Sequence, residues 1–174
     1  MSFGRFVASL QAPALIEIAN RWNSARRART MPAWRDIDPA AIRRHLSIVW
    51  AWRYDATQGT YIGRLAGETI VEVLGIQIRG RRLEDCFAPS SVSVLRQRFD
   101  RAMSGPSFMR STGSIYVTSG RHGDGERITM PLSEDGQHCD GFFGATAYTS
   151  GSLRSRGSAT ANPELEEEVE FFDV

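Results

Sequence analysis

The sequence predicts an α+β domain in which short helices and an antiparallel sheet enclose a concave gap. Two observations carry that prediction. Tyr61-Ile62-Gly63-Arg64-Leu65-Ala66-Gly67 ends a strand and runs into a short helix, Glu68 to Leu74, that Gly75 stops, with a further turn and helical piece from Ile78 to Phe87. Beyond Gly105-Pro106 the chain becomes a meander of strands separated by polar, glycine-containing stretches. Strands followed by abrupt short helices leave space between sheet and helices, and that space is where function is expected. With 174 residues, 41% of them hydrophobic and 24% charged, the chain can bury the core of one domain.

Taken in order, Met1 to Leu10 carry little signal. From Pro13 the pattern is helical: Leu15, Ile18 and Trp22 share a stripe, and Pro13 suits a first turn. Met31-Pro32 breaks this helix, and Asp38-Pro39 opens a short one, with Asp38 as the N-cap. Leu46 to Tyr54 and Tyr61 to Ala66 form a hairpin about the turn Asp55 to Gly59. After the central stretch, Ser90 to Met103 reads as a longer helix. Three strands are expected at Ser114 to Ser119, Glu126 to Leu132 and Gly141 to Thr149, with loops at Gly120 to Gly125 and Glu134 to Gly136. Three segments follow: an N-terminal flanking helix in residues 1–30, the domain in 31–150, and a linker with an acidic tail in 151–174. The linker covers Gly151 to Asn162, and the tail retains helical or docking potential through Leu165, Val169, Phe171 and Phe172.

Net charge is +1, so no global field demands nucleic acid or an anionic membrane. All 21 basic residues are arginine, a side chain suited to carboxylate or phosphate. Two cysteines are too few for a disulfide framework. No run approaches a membrane span and nothing resembles a signal peptide, so a cytoplasmic location is expected.

The order of elements and several local features together resemble one branch of the PAS domain family, compact bacterial proteins catalogued mainly as a domain of unknown function. The features are Trp22 and Arg27, Met31-Pro32, Arg35, Asp36-Ile37-Asp38-Pro39, Leu46, Arg64-Leu65-Ala66-Gly67, Gly75, Gly80-Arg81-Arg82-Leu83, Met130-Pro131-Leu132-Ser133 and Asp135-Gly136. They span roughly Leu15 to Tyr148. The resemblance implies a five-stranded antiparallel sheet of order 2-1-5-4-3 with helices on one face enclosing a small pocket. It further implies sensing, dimerisation or signalling contacts. It supplies no ligand residue by residue.

Cofactor chemistry finds little support. A haem-binding PAS domain supplies a histidine from the helical side of its pocket, and His45, His122 and His138 all lie outside those helices. A light-sensing flavin site needs Asn-Cys-Arg, whereas Cys86 sits in Glu84-Asp85-Cys86-Phe87 and reads as a buried thiol. His122 and Asp124 lie about 17 Å, one strand length, from His138, Cys139 and Asp140, too far to share a metal. Serines near His122 lack an orienting third residue, so no catalysis is expected. Arg79, Arg81 and Arg82 read as solvated. Arg64 is balanced between an anionic ligand and a structural carboxylate such as Glu68.

The resulting expectation is a PAS-type sensing or signalling module without catalytic activity, working through a partner protein or its own dimer because no output domain fits in the rest of the chain. The ligand-binding residues expected are Trp52 (with Trp50 as the other choice at that strand), Arg64, Ile70, Leu74, Phe99, Met130 and Phe142. A one-residue change of register would exchange some of them. Leu15, Ile18 and Trp22 should cover the outer sheet face and build a homodimer. The small molecule stays unidentified. A structural interaction module with a filled pocket is the alternative. Nucleic-acid binding through Arg21, Arg26, Arg27, Arg29, Arg43 and Arg44 lacks a recognition motif.

Overall fold

The computed structural model describes residues 2–118, 121–149, 154–155 and 167–174, without the side chains of 115–118, 121–122 and 154–155. Its α-helices are α1 (Ser2–Ser9), α2 (Pro13–Arg26), α3 (Glu68–Leu74) and α4 (Pro89–Ser104). Three 3₁₀ helices, Trp34–Asp36, Pro39–Ile48 and Leu83–Asp85, lie between them. The strands are β1 (Val49–Asp55), β2 (Thr60–Ala66), β3 (Ser107–Thr118), β4 (Arg121–Leu132), β5 (Gly141–Tyr148), β6 (Arg154–Ser155) and β7 (Glu167–Asp173). The order is β2-β1-β5-β4-β3-β7, with β6 paired to β4. This is the expected 2-1-5-4-3 sheet with a further strand on the β3 edge.

Local sequence accounts for most boundaries. Asp38 caps the second 3₁₀ helix by accepting a hydrogen bond from the Ala40 amide at 2.9 Å. Gly75, in the left-handed region at φ 71°, ends α3. Proline occupies the first turn of both α2 and α4.

The sheet is covered on both faces. α3, α4 and the central turns lie on the inner face. α1 and α2 lie on the outer face, where Trp22 packs edge-on to Phe108 at 4.9 Å and donates its indole N–H to the Pro131 carbonyl at 3.0 Å. Phe6 of α1 stacks on the same Phe108 at 4.7 Å. Leu15, Ile18 and Trp22 do cover the outer face as expected, and all three are completely buried within the single chain. Their apolar surface is consumed by the chain's own sheet, so in this arrangement they have none to present to a second copy.

Three other expectations change. Met1 to Leu10 carry little signal in the sequence, yet Ser2–Ser9 is helical. The glycine-rich stretch expected as a loop is strand from Arg121 onward. Gly123 and Gly125 pair with Tyr116 and Gly113, because a fully bonded partner strand carries glycines that lack intrinsic strand preference. The acidic tail, for which helix or docking was expected, docks on the β3 edge as strand β7. Apart from Arg154–Ser155, the linker from Gly151 to Asn162 lies outside the described residues, as do Ser119, Gly120, Glu164, Leu165 and Glu166.

Candidate functional site

A cavity of about 110 Å³ lies between the inner sheet face and the helices. α4 supplies one wall through Ser91, Val94, Leu95, Arg98 and Phe99, the i, i+3, i+4, i+7, i+8 stripe of a single helix face. Ile70 and Leu74 of α3, with Ile78, Leu83 and Phe87, close one end. The sheet supplies Trp50 and Trp52, then Met109, Ser111 and Ser114, Arg127 and Thr129, Thr146 and Tyr148, and finally Glu167.

The site is two-sided in its chemistry. Trp50, Trp52, Ile70, Leu74, Leu83, Phe87 and Phe99 form an apolar part. Trp50 lies 6.4 Å from Phe99, ring to ring, and its indole N–H is held by Thr146 Oγ1 at 3.1 Å. The lining also carries hydroxyls and an ion triad. Glu167 of β7 takes Arg98 of α4 on one carboxylate oxygen and Arg127 of β4 on the other, the latter at 3.5 Å. The Glu167 side chain is only 8% exposed, and the two arginines 17% and 18%. Withdrawn from water, such groups interact more strongly than a surface pair does.

Of the expected ligand-binding residues, Trp52, Ile70, Leu74 and Phe99 line the cavity. Phe142 faces the same side but stands behind the lining, 4.8 Å from Phe99 and 6.1 Å from Tyr61. Met130 and Arg64 are corrections. Arg127 and Thr129 point into the cavity, so strand alternation sends Met130 to the outer face, opposite Phe143. Gly63 faces inward, where a Cβ would lie 2.2 Å from the Ile78 carbonyl oxygen, so its neighbour Arg64 turns out. The Arg64 guanidinium rests 5.3 Å from the Trp34 ring, a cation–π contact rather than a ligand site or a pair with Glu68. Arg79, Arg81 and Arg82 are exposed, as read from the sequence.

The sequence reading missed Arg127, Thr129, Thr146 and Glu167. Polar residues at inward strand positions were the available signal for the two threonines and Arg127. Glu167 had none, since its strand was assigned to a tail outside the domain. Cys86 is buried, and burial pushes its thiol up to about 11, which suits an inert packing role.

Compared with known proteins, residues 10–147 match the family model described as a PAS domain. No curated protein matches the chain.

Proposed function

The chain belongs to the PAS domain family, and we propose that it senses a small molecule in this pocket and signals through a partner protein or its own dimer, without catalysing a reaction. PAS domains are sensory and signalling modules in general. The cavity carries the more specific reading. It offers stacking surfaces to an apolar body and, a few residues away, hydroxyls and charge to orient it, the usual composition of a small-molecule site. Among the described residues no helix is long and apolar enough to cross a membrane.

Native mass spectrometry of the purified protein, with a visible absorption spectrum of the same sample, tests this. A stoichiometric bound mass is the expected result. A colourless protein with no added mass, in every preparation, would remove the sensor reading.

One observation favours a second reading, an interaction module with a self-filled pocket: the chain's own Glu167 reaches into the polar part of the cavity. On that reading, removing Glu164 to Val174 abolishes partner binding while pocket substitutions such as Leu74→Ala leave it intact. Trp22→Ala would not discriminate between the two readings, because Trp22 is a core residue.

A further inference from the structure

The terminal strand is joined to the domain through charge on both sheet faces. On the inner face Glu167 bridges Arg98 and Arg127, and four residues further along β7, Arg101 of α4 lies 3.8 Å from the Phe171 ring. On the outer face Glu170 meets Arg110 at 2.8 Å. Phe172 packs 5.6 Å from Phe6. β7 is thus an edge strand bonded to β3 from Gly113↔Glu167 to Ser107↔Asp173. Only its first residue, Glu167, enters the cavity.

Arg98 and Arg127 come from different elements, and both are mostly shielded from water. Two guanidinium groups so placed need an anion between them, because an uncompensated charge in such a setting is costly. Guanidinium forks also match carboxylate oxygens in geometry. The anion here is a carboxylate on a strand at the sheet edge, the position from which a strand is most easily parted. Next to it lies the apolar wall of Trp50, Trp52, Leu95 and Phe99.

We propose that Arg98 and Arg127 are the carboxylate-binding site of this pocket, that Glu167 is its internal occupant, and that a small acid with an apolar body displaces Glu167 and loosens β7. The inference rests on the sensor reading and names the ligand class for it. Exchange of one carboxylate for another conserves the charge balance at the arginines. A neutral ligand of the same shape cannot conserve it, so binding and strand release are coupled for acids alone. Release of β7 uncovers the edge of β3 to which it is bonded.

The test compares hexanoate and benzoate with 1-hexanol and benzyl alcohol on the unmodified chain, on Glu167→Gln and on Arg98→Met. Titration is followed by calorimetry and by tryptophan fluorescence, to which Trp50 and Trp52 of the lining contribute, and circular dichroism checks that each variant is folded. Backbone hydrogen exchange reads residues 167–173. The expected result is that the acids bind and the alcohols bind less well. Glu167→Gln should gain about ten-fold in affinity for the acids, with the alcohols unchanged, and Arg98→Met should lose a similar factor. The acids, and not the alcohols, should speed exchange across 167–173 in the unmodified chain. Equal binding of acids and alcohols, with exchange in β7 unmoved, overturns the carboxylate inference and leaves the sensor reading standing. Failure of all four probes on every folded variant overturns the inference; native mass spectrometry then decides the sensor reading separately.

Discussion

At the scale of single residues, close backbone approach and burial decide the most. Gly63 lies where β2 passes the chain at Ile78, and a Cβ there would lie 2.2 Å from the Ile78 oxygen and 2.8 Å from its carbonyl carbon. Backbone cannot swing aside as a side-chain tip can. Gly63→Ala should therefore lower stability by about 3 kcal/mol, read as a shift of the urea midpoint at unchanged slope. The same substitution at Gly4, whose surroundings are open, should cost nothing measurable in packing. The thiols supply a second residue-scale test. Burial pushes Cys86 up to about 11 and Cys139 up to about 12, so neither carries appreciable thiolate at neutral pH. In the folded protein both should resist a thiol-disulfide reagent at pH 8, and both should react once urea unfolds the chain.

At the scale of elements, the N-terminal helices are held by carboxylates that sit far away in sequence. Glu126 of β4 is buried on the outer face. It accepts the amides of Gln11 and Ala12 just before α2, the latter at 2.7 Å, and Arg110 Nε at 2.6 Å. Glu126→Ala strips the acceptor from those amides and leaves Arg110 with only the more exposed Glu170. A loss of about 3 kcal/mol is expected, with faster amide exchange in α1 and α2 than in β1 and β5. The other end of α2 is fastened near the β4–β5 turn. Asp36 takes the Ala33 amide at 2.8 Å and pairs with Arg29, and the Ser133 amide donates to the Pro32 carbonyl at 2.9 Å. In the turn itself, Asp135 accepts the Ser133 hydroxyl and the amides of Gln137 and His138, each at 2.8 Å. Met31-Pro32, Asp36 and the Met130 to Gly136 stretch, dispersed in the sequence, thus converge on one structural joint. Their role in the resemblance is architectural.

At the scale of the whole molecule, acid should unfold this protein by way of its carboxylates. Arg29 holds Asp36 below the usual range, with help from the Ala33 amide. For Glu84 burial acts upward, but the Thr60 hydroxyl, with Arg96 and Arg82, outweighs it and the net direction is down. Local hydrogen bonds lower Asp55 and Asp135 as well. A carboxyl whose folded pKa lies below its unfolded value stabilises the fold above the unfolded value. That contribution disappears as pH falls through the folded one. Asp140 runs the other way, since burial raises it. Lowered groups outnumber it, so the urea midpoint should be flat above about pH 5 and fall steadily below about pH 4. A midpoint that rose on acidification would contradict these pairings.

The sequence by itself determined what depends on neighbours along the chain. Proline and aspartate placed helix starts, Gly75 placed a stop, and the turn Asp55 to Gly59 placed the hairpin of β1 and β2. One helical stripe also told that Leu15, Ile18 and Trp22 cover a sheet face. The layout of elements then matched a known family, and strand order followed from that match rather than from any local feature. Tertiary structure decided the quantities that depend on parity and on distant partners. Facing is one: a shift of a single residue moves a strand side chain to the other face, and so Met130 and Arg64 left the site while Arg127 and Thr129 entered it. The other is the polar part of the pocket, closed by a glutamate 69 residues from Arg98 and 40 from Arg127. Helical and strand periods repeat over two to four residues, and a pairing across such separations leaves no mark in them.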